Sequence, residues 1–121
     1  MMGFSPDARS GAKVYLSCFP VDMRKGMGGL SGEVSRIIGD DPFSGHFFVF
    51  RGKRGDMVKI LYWDGSGMCL LSKRLEAGKF IWPPIVDERL YLSPAQLALL
   101  LEGIDWRRTV APSGVARPQA V

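Results

Sequence analysis

The apolar positions change period along this chain, and each change predicts an element. Over residues 30–38, Leu30, Val34, Ile37 and Ile38 stand at i, i+4, i+7 and i+8, the spacing of one buried helix face, and Gly39 is placed to stop the helix. The outward face of that helix carries only Glu33 and Arg36 as charges, so it is a core-packing helix and not a recognition helix. A short strand over Lys13–Ser17 and the loop "CFPVDMRKGMGG" precede it, with the glycines at 26, 28 and 29 read as flexible backbone before the helix. After the turn formers "GDDPFSG" the pattern becomes that of strands: "HFFVF" and "MVKILYW" are rich in aromatic and β-branched residues, and "RGKRGD" joins them.

The next turn fixes a register. "DGSG" offers Gly65 and Ser66 as the centre of a two-residue hairpin turn, which sets Trp63 opposite Met68 and Ile60 opposite Leu71. With a side-chain period of two, Lys59, Leu61, Trp63, Met68, Leu70, Ser72 and Arg74 share one face. Val58, Ile60, Tyr62, Cys69, Leu71 and Lys73 share the other. Both faces are apolar beside the turn and polar at the far end. The segment "EAGKFIWPPIVDERLYLS" supplies one or two irregular strands, with Pro83 and Pro84 confined to an edge or loop because proline cannot donate to a ladder. A last helix starts at a capping box, Ser93 as N-cap, Pro94 at N1 and Gln96 at N3. Leu92 and Leu97 are set as a hydrophobic staple, and Gly103 ends the helix. Its Leu97, Leu100 and Leu101 are placed to pack on the sheet.

These elements define an α+β protein: a small single domain, mainly an antiparallel β-meander packed against two helices. At 121 residues the chain holds one core. The expected organisation is a flexible N-terminus over 1–12, the folded domain over 13–108 and a disordered tail over 109–121, where "TVAPSGVARPQAV" has linker composition. No apolar run is long enough to cross a bilayer, and "MMGFSPDARSGAK" lacks the apolar core of a secretory signal, so the expected place is the cytoplasm. Cys18 and Cys69, 51 apart, are read as reduced thiols with structural roles.

Charge changes the picture more than composition does. Residues 51–79 hold seven Lys and Arg against three Asp and Glu, which accounts for the whole net charge of +4; the rest of the chain has nine of each. The meander's connectivity brings the RGKRGD loop to the polar end of the hairpin, so Arg51, Lys53, Arg54, Lys59, Lys73 and Arg74 converge on one tip of the sheet. Gly52 and Gly55 are expected to expose backbone N–H groups there. A converging basic tip of this kind is the footprint of a nucleic-acid phosphate contact. Arg24, Lys25 and Lys79 are secondary candidates. The competing structural reading is that these charges block edge pairing and keep strand ends solvated.

Other chemistries lack their parts. The single imidazole, His46, sits in a turn between Gly45 and Phe47, where a surface or loop-packing role suits it better than catalysis. One His and two distant Cys do not make a zinc site. Asp22, Asp40, Asp41, Asp56 and Asp64 stand in turn contexts and not as a clustered metal-binding set, and Asp22 suits the cap of a single helical turn. Neither GxxxxGK[ST] nor GxGxxG occurs. No catalytic residue, metal, cofactor or small-molecule substrate is therefore expected.

The strings "PVDMRKGMGGL", "DPFSGHFFVFRGKRGDMVKILYWDGSGMCLLSKRLEAGKFIWP" and "LSPAQLALLLEGIDW" closely resemble one family, over roughly Lys13 to Arg108. This is the TnpB-type accessory protein, the second small open reading frame product, of insertion sequence 66 type bacterial transposable elements. The resemblance implies a non-catalytic role in transposition beside a separate, larger transposase and a companion accessory protein, and it supplies no binding residues. Joined to the charge argument, it gives a DNA-associated accessory protein, in the nucleoid when bound. The alternative is a protein adaptor that binds the transposase without touching DNA, through Trp82, Pro83, Ile85 and Trp106.

Overall fold

A computed structural model describes residues 11–82 and 90–103. The chain runs through β1 (Val14–Leu16), α1 (Met27–Glu33), a π-helical segment (Val34–Ile38), β2 (Phe47–Arg51), β3 (Met57–Trp63), β4 (Met68–Arg74), β5 (Leu90–Leu92) and α2 (Pro94–Leu101). The five strands form one sheet in the order β4-β3-β2-β1-β5. β2, β3 and β4 are an antiparallel meander, and Trp63 faces Met68 and Ile60 faces Leu71, as the DGSG turn predicts.

β1 lies parallel to β2, with Val14 opposite Phe47 and Leu16 opposite Val49. A parallel pair needs a crossover and cannot be closed by a hairpin, and α1 with the π-helical segment provides it. β5 adds antiparallel on the outer side of β1; it is the described part of the irregular strands expected near the C-terminus.

A helix covers each face of the sheet. On one side Leu97, Leu100 and Leu101 of α2 pack on Val14, Leu16, Phe47, Val49, Val58 and Ile60. On the other, Leu30, Val34 and Ile38 pack on Tyr15, Phe48, Phe50 and Leu61. This explains why "FFVF" is an unbroken apolar run: all four side chains are fully buried, two to each side.

α2 has its capping box, with the Gln96 N–H donating to the Ser93 hydroxyl and the Ser93 N–H to the Gln96 side chain. The first helix departs from expectation in three ways. It starts at Met27, so Gly28 and Gly29 lie inside its first turn and not in a loop before it; the packing of Leu30, Val34 and Ile38 outweighs glycine's poor helix propensity. Its last turn widens, with the Gly39 N–H reaching the Val34 carbonyl five residues back, before Gly39 ends it at φ 75°. Finally, Glu33 is not on the outward face. Its side chain is only 10% exposed and ion-paired to both Arg36 and Lys25, the condition on which a carboxylate is tolerated inside.

The predicted flexible N-terminus up to residue 10, the segment 83–89 with Pro83 and Ile85, and everything from residue 104 on, including Trp106 and the tail, lie outside the described residues.

Candidate nucleic-acid interface

The strand register collects the cations. Arg51 at the end of β2 is opposite Val58 at the start of β3, which is opposite Lys73 on β4, so Arg51 and Lys73 share the α2 side of the sheet. Lys59 and Arg74 belong to the other side, where Arg74 pairs with Met57. The loop 52–56, with Lys53 and Arg54, caps the same end.

The six candidates are engaged to very different degrees. Lys59 is half-buried and its Nζ donates to the Lys25 carbonyl at 3.0 Å, which ties β3 to the start of the first helix. Arg51 is half-buried too, its guanidinium lying 5.4 Å from the centre of the Trp82 ring. Its Nε is buried with no acceptor among the described residues, and burial pushes the guanidinium's pKa down. Lys53, Arg54 and Arg74 are exposed. Among the described residues Arg54 has only a loose partner, Asp56 at 3.9 Å, and the side chain of Arg54 is 87% exposed. Arg74 reaches no carboxylate among the described residues, its Nη2 resting 3.9 Å from the Met57 sulfur. Lys73 is half-buried at the strand end.

Among the secondary candidates, Arg24 grips Asp22 through two nitrogens and projects into solvent, while Lys25 is paired with Glu33 at 3.5 Å. The side-chain hydrogen bond from Arg24, first, and the one from its backbone N–H hold the Asp22 carboxyl well below the usual carboxylate range. Asp22 thus closes the turn that its place before Arg24 and Lys25 predicts, its carbonyl accepting from the Lys25 N–H. Lys79 is exposed, and its stem lies against the backbone at Gly55.

One expectation for the loop fails. The Gly52 N–H donates to the Met57 carbonyl and the Gly55 N–H to the Gly52 carbonyl, so neither is free for a phosphate. These bonds close the β2–β3 connection as a tight turn, and any anion contact there must come from side chains.

The structure also adds a neighbour the sequence does not signal. The Val21 N–H donates to the Arg51 carbonyl at 2.9 Å, which pins the loop after β1 beside the loop 52–56. Between them lies a cleft of about 470 Å³. Pro20, Val21, Met23 and Met57 form its apolar wall, and Lys53, Arg54 and Arg74 stand at its mouth together with Asp22 and Asp56. Gly52 permits the close approach of the two loops: a Cβ there would fall 2.6 Å from the Met23 Cγ. The sequence offers no clue to the Val21–Arg51 bond, because a backbone contact across 30 residues leaves no mark on either segment.

The remaining sequence candidates have structural partners. The His46 Nδ1 accepts from the Lys13 N–H at 3.0 Å, and its ring packs edge-on to Tyr15. Trp82, the one described member of the adaptor patch, is half-buried and donates from Nε1 to the Ser17 carbonyl. Cys18 and Cys69 are not joined in a disulfide, and the Cys69 thiol donates to Asp64. Among the described residues no three His, Cys, Asp or Glu side chains cluster as metal ligands would, and no helix is long and apolar enough to cross a membrane.

A small α+β protein with a cationic sheet end and a cleft beside it is the class that these features define. The chain belongs to the family described as IS66 Orf2 like protein, which it matches over residues 12–111. Membership gives it an accessory role in transposition. It is 47% identical over 111 residues to the uncharacterized protein y4jC of Sinorhizobium fredii, covering 92% of this chain and 94% of that one. It is 40% identical over 109 residues to the uncharacterized protein y4hO of the same organism, covering 90% and 92%. No solved structure matches it.

Proposed function

We propose that the protein assists transposition of its element by holding DNA through its cationic sheet end, without catalysing strand chemistry itself. The observation that carries this reading is the gathering of Lys53, Arg54 and Arg74 at one cleft mouth, exposed and with no carboxylate closer than 3.9 Å among the described residues. Lys73 extends the group across the strand ends, and Lys79 and Arg24 flank it. Arg51 and Lys59, although part of the same charge cluster, spend their cations on the Trp82 ring and the Lys25 carbonyl, so their part is to fix the loop and raise the local potential. Contacts of this kind position a duplex and do not read its sequence, so the protein prefers the element's ends only where a partner supplies the choice.

The expected partners are the element's transposase and its companion accessory protein, and the expected place is the cytoplasm, on the nucleoid when DNA is bound. The test is affinity for duplex DNA across a salt series. Four neutralised phosphates give a log–log slope of about −3.6, at roughly −0.9 per contact. Changing Lys53, Arg54 and Arg74 to Ala together is expected to flatten the slope by about 2.7, three contacts' worth on the same scale. Duplex binding that is absent at low salt, or whose slope ignores the triple variant, would move the function to the adaptor reading, and Trp82 and its neighbours would then be the surface to probe.

A further inference from the structure

The cleft beside the cations is shaped for more than a phosphate. A site that only tracks a backbone needs a charged surface, whereas this one is also lined by the apolar side chains of Pro20, Val21, Met23 and Met57. Its volume of about 470 Å³ is of the size that takes a small planar ligand. The thioethers of Met23 and Met57 are adaptable, polarizable surfaces of the sort that pack well against the face or edge of an aromatic ring. At the mouth Asp56 keeps acceptor capacity, since its one ion pair among the described residues, with Arg54, is 3.9 Å long, whereas both oxygens of Asp22 are taken by Arg24.

We infer that this cleft takes a single unpaired nucleotide at a DNA end or fork, its base against Met23 and Met57, its phosphate on Lys53, Arg54 and Arg74, and an exocyclic amine of the base on Asp56. This rests on the DNA-holding function proposed above and names the kind of DNA that the site takes. Gly52 sets how Met23 lies: with no side chain there, Met23 packs against the loop backbone at the edge of the cleft that both residues line. A carboxylate acceptor pairs with the amino group of cytosine and finds no donor at the corresponding position of thymine. The cleft therefore prefers bases that carry an exocyclic amine.

The experiment compares one duplex in four forms: blunt, and with a three-nucleotide overhang of cytosine, of thymine or of abasic sugar-phosphate. The cytosine overhang is expected to bind roughly tenfold tighter than the blunt duplex, the worth of one well-placed base contact, and the abasic overhang to gain little. Asp56→Asn removes the difference between cytosine and thymine. Gly52→Ala, which displaces Met23 from its place in the cleft lining, and separately Met57→Ala, each reduce the ratio of overhang to blunt affinity; reading a ratio within one variant separates this effect from any loss of folded protein. Equal binding of abasic and cytosine overhangs, or of blunt and overhang duplexes, overturns the cleft assignment and leaves the backbone grip standing. Overhang binding without blunt-duplex binding does the reverse, and no binding to any form removes both.

Discussion

Asp64 shows how much one side chain can set. Its carboxylate accepts the backbone N–H groups of Ser66 and Gly67, and also the Cys69 thiol and the Ser66 hydroxyl, so a single residue closes the β3–β4 turn. Those bonds, led by the one from the Ser66 N–H, hold its pKa down to about 2 from 3.8. The charged form is thus favoured by folding. Its stabilising effect is complete above about pH 4 and is lost as the pH falls toward 2. Thermal midpoints of the protein and of Asp64→Asn are therefore expected to converge between pH 4 and pH 2, and a gap unchanged across that window would show that the turn does not depend on the charge. This residue was legible in the sequence, because an Asp before Gly-Ser-Gly has few other uses. Glu33 was not. Whether a helix carboxylate faces solvent or the protein depends on what covers it, and the covering cations, Lys25 and Arg36, lie on two different segments.

Local signals at the scale of elements were reliable where one short segment held both halves of an interaction. The DGSG turn fixed the β3–β4 register, and Ser93 with Gln96 announced the start of α2. Ser93→Ala removes the acceptor for the Gln96 N–H and is expected to cost about 1 kcal/mol, read as a lower denaturant midpoint with an unchanged slope. No change in the midpoint would mean that α2 is held by its leucines alone. The parallel pairing of β1 with β2 was beyond local reading. Its two strands are 30 residues apart, and nothing in "VYL" says which edge it will join. The unbroken "FFVF" was the available clue, since a strand buried on both sides needs a cover on each, and the crossover helix is one of them. The same limit hid the cleft: the basic loop was visible in the sequence, but the segment that turns its flank into a cavity comes from before the first helix.

Across the whole molecule, charge and hydrophobicity are segregated along the strands of the meander. The hairpin end is apolar and closed by Asp64, with Trp63 packed edge-on against Phe43, while the other end carries the positive charge of residues 51–79. Such an asymmetric field orients a protein toward a polyanion before any contact forms, and salt weakens it. The family gives the protein its accessory place in transposition; the field and the cleft are the features on which the proposed grip on DNA rests. The most direct measurement is the amide NMR spectrum of labelled protein as a short DNA duplex is added at low salt. Shifts concentrated in residues 21–25, 52–57 and 73–79, with the turn at 64–67 unmoved, are the predicted result. Shifts confined to the turn and the outer surface of α2, or a spectrum that does not respond to DNA, would contradict the account.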